Sequence, residues 1–147
     1  MPSSHPNDPP QSPLDVAPEH RSPFLDMLEI HPVDMGKGHV TFRMVVDNRH
    51  LRNMGILHGG VAATLLDTSL GCAAATTARP GYHVVTVQLN INYIRPAWEN
   101  ETLIAKGEVR HAGQQIAVAN GELRTSDDVL VATREVGEGR SLVWTSD

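Results

Sequence analysis

The chain has 147 residues, with 12 Lys and Arg against 17 Asp and Glu, eight His, one Cys, and two each of Phe, Trp and Tyr. That length suits one domain able to bury its own core without a disulfide or metal staple. A single cysteine excludes an intramolecular disulfide, a Cys-rich zinc site and a C-x-x-C redox pair, and a net charge of −5 without a basic run argues against nucleic acid as the main partner.

No apolar run is long enough to cross a membrane as a helix. The first thirty residues carry neither a cationic n-region nor an apolar h-region. The composition therefore reads as a soluble, cytoplasmic domain with no membrane partner. Seven of the ten prolines fall within residues 1–23, among Ser, Asn, Asp and Gln. Such a stretch buries too little apolar surface to offset its ordering entropy, which predicts a disordered tail over 1–21 and one domain over 22–147.

Ser22-Pro23 before Phe24-Leu25-Asp26-Met27-Leu28 predicts a short helix, with Ser22 as N-cap and proline in the first turn. Lys37 between Gly36 and Gly38 marks a turn, and Val40, Phe42, Met44 and Val46 then alternate as in a strand. Residues 47–55 read as a polar loop. From Gly60 to about Ala78 the chain is apolar on nearly every face, with Asp67 as the one charge, which predicts a central helix enclosed on all sides. It stops near Arg79-Pro80-Gly81.

Val85, Val87, Leu89, Ile91 and Tyr93 then alternate strictly with polar residues, the cleanest strand signal in the sequence. Leu103–His111 and Gln115–Arg124 read as two long strands joined at Ala112-Gly113. A turn at Ser126-Asp127-Asp128 leads to a last strand, Val129–Glu135, resuming at Ser141–Trp144. One helix among four or five successive antiparallel strands predicts an α+β domain with a curved sheet around the helix.

Asp67 draws attention because a carboxylate in an apolar helix is costly to desolvate unless it is paired or used. No Lys or Arg lies within a turn of it, and Gly60, Thr64, Asp67 and Gly71 share one helical stripe with room beside the acid. A structural carboxylate bonded to backbone or Thr hydroxyls fits the same pattern. His58-Gly59-Gly60 stands where loop becomes helix, and free N–H groups there can polarise a carbonyl oxygen. A turn with a capping histidine fits those three residues equally. Cys72 reads as core packing, and the histidines lack H-x-H or H-x-x-x-H spacing, so no metal is expected.

Residues 53–60 (NMGILHGG), Asp67, and residues 85–97 (VTVQLNINYIRPA), in that order, resemble the PaaI-type hotdog acyl-CoA thioesterases, from about Phe24 to Thr133 and including His111-Ala112-Gly113. The resemblance implies a hotdog fold, a long helix wrapped by an antiparallel sheet. It implies that Asp67 acts as nucleophile or general base, that the Gly59 N–H holds the thioester carbonyl, and that His58 supports the thioester or orients the loop. Thr86 matches a residue that the neighbouring subunit supplies to position water. Asn53 stands five residues before His58, where the family's asparagine stands most often six before; that place is Arg52 here. Asn100 replaces a common glycine and suits a left-handed turn, and Gln114 replaces a basic residue after the hairpin glycine.

Gly60 and Arg95 are the positions expected to meet coenzyme A, though Arg95, like Arg79, suits a solvated charge at an element end just as well. The implied assembly is a homodimer that completes the site, pairing into a tetramer, with coenzyme A entering only as part of the substrate and no other cofactor. Physically, burial of Asp67 in an apolar wall would make it more basic than a surface carboxylate. The rival readings are a hotdog enoyl-thioester hydratase and a hotdog that binds acyl-CoA without turning it over.

Overall fold

A computed structural model describes residues 22–134. The expected tail over 1–21, and Glu135 and Ser141–Trp144 of the expected last strand, lie outside the described residues. Helix α1, Pro23–Met27, is capped as its sequence predicts: the Ser22 Oγ accepts the Leu25 N–H at 3.4 Å. Strands β1 (His31–Gly36) and β2 (His39–Val45) form a hairpin that turns at Gly38, whose φ of +83° favours glycine.

Strand β1 was not legible in the sequence. It is an edge strand with Pro32 inside it and an irregular register between Pro32 and Asp34, so it shows no alternation. Strands β4 (Thr102–Ala112) and β5 (Ala117–Thr125) form the long predicted hairpin, and β6 (Leu130–Thr133) follows after a turn in which Asp128 takes φ +65°. With β3, Asn92–Tyr93, these make one antiparallel sheet in the order β1-β2-β4-β5-β6-β3.

Helix α2, Gly59–Ala75, lies across β2, β4 and β5. Its buried residues are Ala62, Leu65, Leu66, Ser69, Leu70, Ala73 and Ala74, a three-and-four spacing that defines one face. Against them pack Val40, Phe42, Met44, Leu103, Ala105 and Leu123. Burying each large aliphatic side chain here contributes about 1.5–3 kcal/mol. Two glycines let the helix come close: a Cβ on Gly107 would lie 2.3 Å from the Ser69 carbonyl oxygen, and one on its register partner Gly121 would lie 3.1 Å from Leu70 Cδ2.

The expectation of a helix enclosed on every side is therefore corrected. The face opposite the sheet carries Gly60, Thr64, Asp67, Gly71 and Ala75, each at least partly exposed. An apolar composition made mostly of Ala and Gly does not by itself demand burial all round. The regular helix also ends earlier than expected, at Ala75, where the Thr76 and Thr77 hydroxyls donate to the carbonyls of Ala73 and Ala74.

A second correction concerns the strongest strand signal. Of residues 85–93, only Asn92 and Tyr93 join a ladder, opposite Thr133 and Ala132. The segment lies at the sheet's edge beside β6, whose described ladder ends at Thr133, opposite Asn92. Val85 and Val87 are left 50% and 54% exposed. Period-two patterning reports an extended chain with one apolar face; it does not supply the neighbouring strand.

Candidate active site

The N-terminus of α2 is built from the loop before it. His50 is fully buried, its Nδ1 accepting the Asp47 N–H at 3.0 Å. Its Nε2 lies 2.7 Å from the Leu28 carbonyl, which can only accept, so Nε2 carries the proton. The His50 carbonyl in turn accepts the His58 N–H at 2.9 Å, and Leu57 N–H donates to the Ala97 carbonyl. The loop is thus clamped on both sides just before the helix starts. Nothing in the polar run 47–55 marks His50 as this brace, because the role arises from contacts 22 residues away in sequence.

His58 is the N-cap, its Nδ1 accepting the Gly60 N–H at 2.9 Å. The Gly59 N–H, at the first helical position, has no acceptor among the described residues. The Gly59 carbonyl accepts a 2.9 Å hydrogen bond from the Tyr93 hydroxyl. Tyr93 and Ile94 face Leu57, Gly59 and Ala62 across an open cleft of about 250 Å³, floored by Val131. Helix start and cleft together offer a free N–H donor beside an apolar groove, which suits a polarised carbonyl attached to an apolar group.

Asp67 stands two turns further along, on the open stripe. The Thr86 hydroxyl donates to its Oδ1 at 2.6 Å, a short charge-assisted bond, and Asp67 has no cationic partner among the described residues. Thr86 had been expected to come from a neighbouring subunit; here the acid meets the threonine of its own chain. Asp67 and Gly59, by contrast, do not meet. Eight residues of helix separate them by about 12 Å, beyond the reach of one carbonyl held at Gly59.

Cys72 behaves as the packing residue expected of it. Burial first, and then the charge of Asp67, push its thiol pKa up, which suppresses the nucleophilic thiolate. Asn53 sits in an exposed single turn, Asn53–Gly55, beside Met54 at φ +68°, and makes no hydrogen bond to Asp67, Thr86 or Gly59. Asn100 does take the left-handed conformation, at φ +71°.

Arg95, expected to meet coenzyme A, lines the cleft and has partners within its own chain. Its guanidinium pairs with Glu101 at 2.8 Å and donates to the Pro96 carbonyl at 3.0 Å. Glu101 also accepts the Trp98 N–H at 2.9 Å, so the arginine ties down the turn after β3. The hydrogen bond from Arg95 is the main cause holding the Glu101 carboxyl below its ordinary range, and the same bond raises the Arg95 pKa. Arg79 lies over the Tyr82 ring, 4.7 Å from its centroid. Among the described residues no cluster of three or more His, Cys, Asp or Glu could hold a metal ion, and no helix is long and apolar enough to cross a membrane.

Comparison with known proteins places this geometry in a family. A putative esterase of Caenorhabditis elegans is 30% identical over 100 residues, 68% of this chain and 59% of that protein. Human acyl-coenzyme A thioesterase 13 is 34% identical over 91 residues, 62% of this chain. The chain thus spans only 59% and 64% of the length of these two relatives. Among solved structures, the Escherichia coli PaaI protein from the phenylacetic acid degradation operon superposes with a TM-score of 0.76 at 25% identity, covering 88% of each chain. A hypothetical thioesterase of Streptococcus pneumoniae, solved with coenzyme A, gives 0.69 at 26% identity over 80% of this chain and 85% of that one. The family model of the thioesterase superfamily matches residues 54–132, from the loop before α2 into β6, and the chain belongs to that superfamily, with its hotdog fold.

Proposed function

We propose that the protein is an acyl-CoA thioesterase, cleaving R–CO–S–CoA with water to a carboxylic acid and free coenzyme A thiol. The observation that carries this reading is the Asp67–Thr86 pair: a carboxylate on an open helix face, held by one neutral hydroxyl at 2.6 Å. Thr86 fixes one carboxylate oxygen and leaves the other to take a proton from water or to attack the carbonyl itself. The Gly59 N–H, with the partial positive charge of the helix start behind it, suits the oxygen on which negative charge develops. The coenzyme A bound to the Streptococcus pneumoniae protein and the name of the human relative support a coenzyme A thioester as substrate.

The 12 Å between Gly59 and Asp67 supports a site shared by two copies. Antiparallel helices meeting along the stripe of Gly60, Thr64, Asp67 and Gly71 would set Asp67 and Thr86 of one copy beside Gly59 and His58 of the other. The exposed Val85 and Val87 side chains, on the segment leading into β3, offer a second copy an apolar surface for the same assembly. We take the dimer as the catalytic unit and a tetramer as a pair of such dimers. A panel of aryl and aliphatic acyl-CoAs tests the reading. Thiol release supports it, loss of enoyl absorbance without thiol marks a hydratase, and saturable binding without either marks a non-catalytic binder.

A further inference from the structure

The hydroxyl of Tyr93 and the ring of His58 touch opposite ends of a single peptide group. Tyr93 donates to the Gly59 carbonyl oxygen at 2.9 Å, and the amide N–H of that same peptide, on Gly60, donates to His58 Nδ1 at 2.9 Å. A carbonyl can only accept and an amide N–H can only donate, so the direction of both bonds is fixed. Each bond polarises the peptide in the sense that strengthens the other. His58 Nδ1 is therefore a lone-pair acceptor, and the neutral ring carries its proton on Nε2, on a side chain exposed beside the cleft.

We propose that Tyr93 is a positioning residue that sets the tautomer and orientation of His58 through the Gly59–Gly60 peptide, so that His58 presents an Nε2–H donor next to the free Gly59 N–H. Three features serve this arrangement. Tyr93 pairs with Ala132 in the sheet, which holds its backbone in place beside the helix start. The backbone continues the anchor, with Ile94 N–H donating to the Val131 carbonyl at 2.9 Å. The ring lies over Gly59, where a Cβ would sit 3.5 Å from it, at contact distance.

The kinetic consequence rests on the proposed thioesterase reading; the tautomer does not. The test is Tyr93→Phe in the full chain, which keeps the ring and removes only the donor. Long-range proton–nitrogen correlation spectra of the histidine rings, with the Gly60 amide resonance, read the relay directly. The wild-type chain should show the Nε2–H form of His58. In the variant the Gly59–Gly60 peptide, no longer held at its carbonyl, should turn and loosen the Gly60 N–H from Nδ1, which moves the Gly60 amide resonance and admits the Nδ1–H form. Thiol release should fall three- to tenfold in kcat with KM held within twofold, because substrate contacts remain and only the donor loses its setting. Wild-type His58 found as the Nδ1–H tautomer overturns the proposal, as does a variant with unmoved Gly60 and His58 resonances. Moved resonances with unchanged kcat overturn its kinetic part. If the wild-type chain releases no thiol, the thioesterase reading fails, and the spectra alone still decide the relay.

Discussion

Gly107→Ala puts one methyl where the helix meets the sheet. The new Cβ would stand 2.3 Å from the Ser69 carbonyl oxygen, 2.5 Å from its carbon and 2.9 Å from the Leu70 nitrogen. All three are backbone atoms, so no side-chain rotation relieves the contact. To reach ordinary separation α2 must withdraw by about 1 Å, and a gap of that size forfeits roughly a quarter to a half of each dispersion contact it opens. Leu65, Leu66 and Leu70 are all buried on the helix face that packs on the sheet. The cost should reach the upper end of overpacking, about 3 kcal/mol, out of a total stability of about 5–15 kcal/mol. For a domain of this size that corresponds to a fall in Tm of roughly 10 °C. Thermal unfolding followed by circular dichroism, with urea melts at fixed temperature, measures it. Gly121→Ala, whose Cβ would stand 2.9 Å from the Lys106 carbonyl oxygen and 3.1 Å from a movable Leu70 methyl, is less crowded and should cost less. A Gly107→Ala chain that melts within 2 °C of the wild type would refute the claim that this notch seats the helix bearing Asp67.

Three further outcomes follow from the site. Gly59→Ala should fold normally, because its methyl makes only ordinary contact with Tyr93, yet lose activity by putting a methyl in the cleft beside the backbone N–H of residue 59. Co-expressed at equal levels with Asp67→Asn, it should recover about a quarter of wild-type thiol release, since half the two-fold dimers are mixed and each holds one intact site; no recovery would place each site within one chain. Thr86→Val should lower kcat by about fivefold, a loss of about 1 kcal/mol, below the usual range for a bond to a charged group because the pair is solvent-exposed. Thr86→Ser should restore the rate, and equal rates for Val and Ser would dismiss the hydroxyl. Glu101 has a folded pKa below its ordinary 4.5, mainly through the hydrogen bond from Arg95, so its contribution is present at neutral pH and lost as pH falls through the folded value. The Tm gap between wild type and Glu101→Gln should therefore close in acid, and a gap unchanged between neutral pH and the acid limit would contradict the pairing.

The sequence made the frame of this molecule readable where one residue's character settles its place. Ser22 before Pro23 announces its cap, Asn100 its left-handed turn, and the alternation of β2, β4 and β5 their inward faces. Asp67 stood out because no cation lies near it on the helix, and the structure answers with Thr86, nineteen residues away. What stayed hidden depends on contacts between distant segments. His50 looks like any loop histidine until the Leu28 carbonyl is beside it. Arg95 looks free until Glu101 folds back on it. Tyr93 reads as one more strand residue, and only the closeness of Gly59 gives its hydroxyl a task. The separation of Gly59 from Asp67 was arithmetic available from the helix rise, and it is the ground on which the proposed two-copy site stands.

The central claim is that Asp67 performs the chemistry on a thioester. Purified Asp67→Asn, with its oligomeric state checked by light scattering, should release coenzyme A thiol at least a hundredfold more slowly than the wild-type chain on whichever acyl-CoA the wild type cleaves fastest. Its melting temperature should stay within a few degrees, because Asp67 lies on the open face of α2 and takes no part in the core. Thiol release at the wild-type rate from a folded Asp67→Asn dimer would contradict the account.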